Sequence, residues 1–221
     1  MNVFLAVLWK DLLTEWRSRD RAVAMLLFSL LVVVVFHFSL PGGATSKMEA
    51  TAPGLLWIAY VFASILGFNR AFSMELENDA LSGIALLPAD RGWVFLGKAA
   101  ANLAILGFVQ TIIAAIFGLV FELALLEIAA PLALVVLLGS LGLCSVGTLF
   151  AAVAVRTRFR EVMLPLLMLP LLIPVLLGAV RATAGLFATG ELDSSAVQLL
   201  LVSDAIYLII SFIGFDYVLD E

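Results

Sequence analysis

Charge is what this sequence has least of. Asp, Glu, Lys and Arg make up 13% of its 221 residues, where soluble domains carry about 25%. There is one histidine, His37, and one cysteine, Cys144. A single cysteine excludes an internal disulfide. With one histidine and no CxxC, HExxH or serine–histidine pattern, hydrolytic or metal-based catalysis has no visible seat, so no catalytic or metal-ligating residue is expected. No basic stretch is long enough to grip nucleic acid, and the formal net charge is −5.

What fills the space is hydrocarbon. Apolar residues are 64% of the chain, well above the usual 45–50% or so of soluble domains. A chain of this size and composition cannot cover its surface with polar groups, so its solvent is lipid. Crossing the hydrocarbon core takes about 20 mainly apolar residues in a helix, because backbone groups in lipid must bond within the segment. Six runs qualify: residues 22–40, 52–68, 99–121, 129–155, 162–180 and 196–215. The expected fold is an all-α integral membrane protein forming a single transmembrane domain.

Residues 1–21 precede the first run. Phe4, Leu8, Leu12 and Trp16 recur at helical spacing, with Lys10, Thr14, Arg17 and Ser18 opposite. This pattern predicts an amphipathic helix lying in the membrane interface. A secretory signal would place its charges before a short apolar core, and that order is absent.

Sidedness follows from the basic residues. Lys10, Arg17, Arg19, Arg21, Arg70, Arg91, Lys98, Arg156, Arg158 and Arg160 fall on one side of a six-span chain, leaving only Lys47 and Arg181 of the 12 opposite. The positive-inside rule therefore predicts that both termini and the loops holding Arg70–Lys98 and Arg156–Arg160 are cytoplasmic.

The passage "RAFSMELENDALSGIALLPADRGWVFLGK" between runs two and three is the one long polar interruption. On a helix, Phe72, Leu76, Ala80, Ile84 and Leu87 share one arc, while Glu75, Asn78, Asp79 and Ser82 share the other. Pro88 ends that helix and Asp90 is placed to cap the next. A short cytoplasmic helix over about 70–88 is predicted. Helices that float on anionic headgroups carry Lys and Arg, whereas this one presents Glu75, Glu77 and Asp79. Its charge suits a basic protein partner, with Arg70, Phe72, Glu75, Leu76, Glu77, Asp79 and Leu87 as the docking residues.

"GWVFLGKA", residues 92–99, has the G-x-x-x-x-G-K spacing of a phosphate-binding loop. That loop needs a preceding strand, small central residues and Ser or Thr after the Lys. Here Trp93, Val94, Phe95 and Leu96 fill the centre and Ala99 ends it. It is not a nucleotide site.

Within the spans, Asp204 is the one carboxylate deep in an apolar run, where it needs a partner or water; Ser203, Asn102 and Gln110 are the candidates. It either lines a cavity or makes an interhelical hydrogen bond. His37 is more often a polar filler than a ligand at such a site. Gly139, Ser140, Gly142, Ser145 and Gly147 make run four a close-packing helix. Pro165, Pro170 and Pro174 predict that run five is kinked or broken.

An interfacial amino-terminal helix, six spans and a cytoplasmic helix between spans two and three resemble an ABC type-2 permease. More narrowly, "APGLLWIAYVFASILGFNRAFSMELENDALSGIALLPADRGWVFLGK" (52–98), "RTRFREVMLP" (156–165) and "LPLLIPVLL" (169–177) are similar to the CcmB family, the membrane subunit of the bacterial heme-export transporter of cytochrome c maturation. The resemblance implies an ABC ATPase on another chain, which binds the ATP. It also implies two copies of each subunit, a heme-handling membrane protein, and a heme chaperone outside the membrane. Heme enters as the candidate transported substrate, not as a bound cofactor, and His37 is only a speculative heme contact. A lipid or drug exporter and a non-transporting assembly scaffold are the rival readings.

Overall fold

The computed structural model describes residues 3–39, 45–77, 91–154, 157 and 159–218. Among these, all regular structure is helical: α1 (Val3–Ser18), α2 (Asp20–Ser39), α3 (Thr45–Glu77), α4 (Arg91–Val120), α5 (Ala129–Ala154), α6 (Arg160–Leu171), α7 (Ile173–Thr189) and α8 (Ser194–Val218). Five of them hold apolar windows long enough to cross a membrane, and α6 with α7 make a sixth crossing bent by 62°.

The order of packing follows side-chain size. α5 is the helix of small residues, and the large rings of its neighbours fall on its glycines. A Cβ built on Gly139 would lie 2.2 Å from the Trp57 ring of α3, and one on Gly147 would lie 2.3 Å from Phe68, a little over three turns further along α3. On its other side, a Cβ on Gly142 would meet Asp204 of α8 at 2.6 Å and Val175 of α7 at 2.8 Å. Only glycine permits these approaches, which is why α3 and α8 sit close to one central helix.

Chain direction alternates. Arg91, which opens α4, donates to the Asp216 carbonyl near the end of α8 at 3.0 Å, and Phe95 packs on Phe215 with ring centroids 5.5 Å apart. Gly97 lies where a Cβ would be 2.9 Å from the Phe4 carbonyl of α1. The beginning of α1 and the end of α8 therefore share one end of the bundle. α1 turns into α2 at Arg19, whose φ of 58° is the left-handed conformation that commonly closes a helix.

Three boundaries differ from the sequence reading. α3 does not stop at Phe68 but continues to Glu77, so residues 70–77 of the expected separate cytoplasmic helix extend span two directly. Nothing in 69–77 breaks a helix: the stretch has neither Pro nor Gly. Second, α7 runs on to Thr189 through what reads in sequence as outer loop, and ends where Gly190 takes φ 73° and returns its N–H to the Leu186 carbonyl. Third, α4 starts eight residues before the expected run, at Arg91, directly after Asp90. The proline-rich fifth run is broken as expected, at Leu172.

Candidate functional site at the basic end of the bundle

The end of the bundle where α1 begins and α8 ends carries most of the described basic residues. α1 lies against α4 and buries Val7 there. Its outward face shows Leu5, Trp9, Leu13 and Trp16 to the surroundings. Its inward acids meet bases of the bundle: Asp11 lies 3.5 Å from Lys98, and Glu15 lies 3.1 Å from Arg21. Glu15 also accepts the Ala22 N–H at 2.9 Å, which closes the corner between α1 and α2.

Arg21 is 7% exposed. Its guanidinium donates to Asn102 Oδ1 at 2.9 Å, and the Asn102 amide donates to the Thr148 hydroxyl at 2.9 Å. One chain of polar groups thus links α1, α2, α4 and α5. A buried cation is tolerable only where charge and hydrogen bonds answer it, and here both do. In the sequence Arg21 and Lys98 stand only as markers of sidedness. The structure buries Lys98 to 3% beside Asp11. The signal available was the i, i+4 spacing of Asp11 and Glu15 on one face of α1.

"GWVFLGKA" is continuous helix inside α4. Gly92 and Gly97 make room for the Phe212 ring and for α1, so the glycines serve packing and no phosphate loop exists there.

Of the expected docking residues, Arg70 stands exposed on the extension of α3. Phe72, Glu75, Leu76 and Glu77 belong to that same helix by backbone, with their side chains outside the described residues. Asp79 and Leu87 lie outside the described residues altogether.

Deeper in the bundle the structure separates the polar groups that sequence reading grouped with Asp204. Asn102 is engaged by Arg21 and Thr148. Gln110 accepts the Ser140 hydroxyl at 2.6 Å through its side chain, and the Tyr60 hydroxyl at 3.1 Å through its backbone carbonyl. Neither reaches Asp204, so the expected partnership is corrected. Both instead make interhelical hydrogen bonds, the other role considered for such residues. Asp204 is 2% exposed, and neither of its oxygens has a hydrogen-bond partner among the described residues.

At the opposite end, His37 is exposed and packs edge-on against Phe38 and Phe121, with ring centroids 5.5 and 5.8 Å away. A cavity of about 550 Å³ opens between α4 and α5 near the loop that joins them, lined by residues such as Ala115, Gly118 and Leu126 and also by Tyr60 and Gln110. His37 is not among its lining residues. Among the described residues no group of three or more His, Cys, Asp or Glu side chains could hold a metal ion.

A family model described as CcmB protein matches residues 2–215 of the chain, from α1 to within three residues of the end of α8. The chain belongs to the CcmB family. Relatives match the chain over most of their own length. The chain is 30% identical to heme exporter protein B of Haemophilus influenzae over 186 residues, 83% of each chain. It is 31% identical to the Paracoccus denitrificans protein of that name over 182 residues, 80% of each. It is 29% identical to the Pseudomonas aeruginosa one over 195 residues, 86% of each. The CcmB match therefore spans the buried polar chain at the basic end as well as the bent pair α6–α7.

Proposed function

We propose that this chain is the membrane subunit of an ATP-binding-cassette heme exporter serving cytochrome c maturation, with ATP hydrolysed on a partner chain. The observation that carries this reading is the match of the CcmB family over residues 2–215, joined to relatives named heme exporter protein B over four-fifths of their length. In this reading the basic end faces the cytoplasm, both termini lie there, and α1 rests in the interface with Leu5, Trp9 and Trp16 toward lipid. Two copies assemble with two ATPase subunits and a heme-handling membrane protein, and the heme chaperone receives the cargo outside.

The helices suggest how force would enter. α3 is one unbroken rod from Trp57, locked on Gly139, to Glu77, within the docking stretch that starts at Arg70. A displacement of that stretch would reach α3 at one end and α4, which starts at Arg91, at the other. α4 in turn is tied to α1 and α2 through Lys98–Asp11 and Asn102–Arg21. Docking by Arg70, Phe72, Glu75, Leu76, Glu77, Asp79 and Leu87 would thus move a unit of four helices.

The test is genetic and chemical. A deletion strain should lose covalently heme-bound c-type cytochromes and regain them on complementation with this chain. Normal cytochrome c maturation in the deletion strain would overturn the reading and favour export of another substrate, such as a lipid or drug. Full maturation with an ATPase-dead partner would instead favour a scaffold without transport.

A further inference from the structure

Helices α7 and α8 run antiparallel in a fixed register. Gly178 lies against Leu200, so that a Cβ there would be 2.9 Å from the Leu200 side chain. One turn back, Val175 and Asp204 meet at Gly142 of α5. A further turn back, the Tyr207 hydroxyl donates to the Leu171 carbonyl, across the break between α6 and α7. In an unbroken helix that carbonyl would take the N–H of Val175, four residues on. The Pro170 carbonyl has no such partner in any geometry, because Pro174 lacks an N–H. The bend of 62° keeps backbone bonds from Leu172 to Met168 and from Leu176 to Leu172, while the Leu171 carbonyl between them is taken by a side chain of α8.

The same face of α8 carries an unanswered group. Asp204 lies three residues before Tyr207, a spacing that makes them neighbours on the helix surface. Side chains lean toward the helix amino terminus, so Tyr207 leans toward Asp204. While the hydroxyl serves Leu171, neither oxygen of Asp204 has a partner among the described residues, although the group is 2% exposed. A buried carboxyl in this condition is costly and calls for an explanation.

We infer that Tyr207 and Asp204 form a two-position latch for the α6–α7 hinge. In the bent form the Tyr207 hydroxyl holds the Leu171 carbonyl. When the pair straightens, Val175 reclaims that carbonyl, and the released hydroxyl donates to Asp204. The bent form thus leaves one buried group unsatisfied that the straighter form satisfies. Asp204 is a positioning residue: it acts on the hinge through Tyr207, and on cargo only through the hinge. The hinge rests on the described helices alone; its link to transport rests on the heme-export reading.

The test places spin labels at Val162→Cys and Ala188→Cys, both exposed and on opposite arms of the bend, in a Cys144→Ser background and in lipid nanodiscs. From the helical rise, the backbone separation is about 34 Å with the 62° bend and about 39 Å without it. The expected result is two distances in the otherwise wild-type chain and only the shorter one in Asp204→Leu. That variant should also melt about 2–4 °C higher, as it removes an unsatisfied group. It should lower cytochrome c maturation roughly tenfold by withholding one state. Asp204→Asn, whose amide oxygen still accepts, should restore both distances. An identical distance distribution in wild type and Asp204→Leu, or a lower melting temperature for Asp204→Leu, would overturn the latch. If the distances change as expected while maturation does not, the latch stands and its link to transport fails; if the deletion strain also matures cytochrome c normally, it is the heme-export reading that fails.

Discussion

Arg21 and Asn102 meet through a 2.9 Å hydrogen bond that ties the first turn of α2 to the first half of α4. With Glu15 at 3.1 Å as well, the guanidinium is answered by groups from two other helices, α1 and α4. Removing one member of a buried charged pair leaves the other uncompensated, at a cost of about 3–5 kcal/mol. Arg21→Met should therefore destabilise the detergent-solubilised protein by several degrees. Arg21→Met with Glu15→Gln should recover most of that loss. Equal melting temperatures for wild type and Arg21→Met would show that the pair contributes nothing.

Glycine positions give a contrast within one experiment. Gly139→Ala and Gly147→Ala each drive a methyl into a ring, at 2.2 Å from Trp57 and 2.3 Å from Phe68. Overpacking of this kind costs about 1–3 kcal/mol. Gly107, in the middle of α4, has nothing within 4 Å of a built Cβ, and alanine there should be neutral or stabilising by about 0.5–1 kcal/mol. Thermal unfolding of the three variants in one detergent checks the order.

Sidedness is testable with the same cysteine background. Native Cys144 is buried and should not react with a membrane-impermeant thiol reagent. Cysteine at Arg70 should label only when the cytoplasmic face is opened, and cysteine at Ala188 should label in intact spheroplasts. Labelling of Arg70→Cys from outside would reverse the topology.

The spans were legible because the lipid core imposes a length and a composition that few other structures share. The break at Pro170–Pro174 was legible for the same reason: a missing N–H is written in the sequence. The continuity of α3 into Glu77 was not, because the change from apolar to polar at Asn69 marks where solvent changes, and helices need not end there. Thr183 shows the same limit. It reads as part of a polar outer loop, yet its hydroxyl accepts a 3.0 Å hydrogen bond from the Trp57 indole, with α7 still helical around it. The pairing of Asn102 with Arg21, and not with Asp204, depends on which faces of four helices meet, and spacing along one chain carries no such information.

The measurement that bears most directly on the proposed function is recovery of the ATPase. Glu75→Lys, Glu77→Lys and Asp79→Lys together should lower ATPase co-purification roughly tenfold or more, since like charges then oppose each other at the docking surface. Membrane insertion and yield of the chain should be unchanged, because none of the three lies in an apolar span. Undiminished co-purification would contradict the assignment of this stretch as the ATPase docking site.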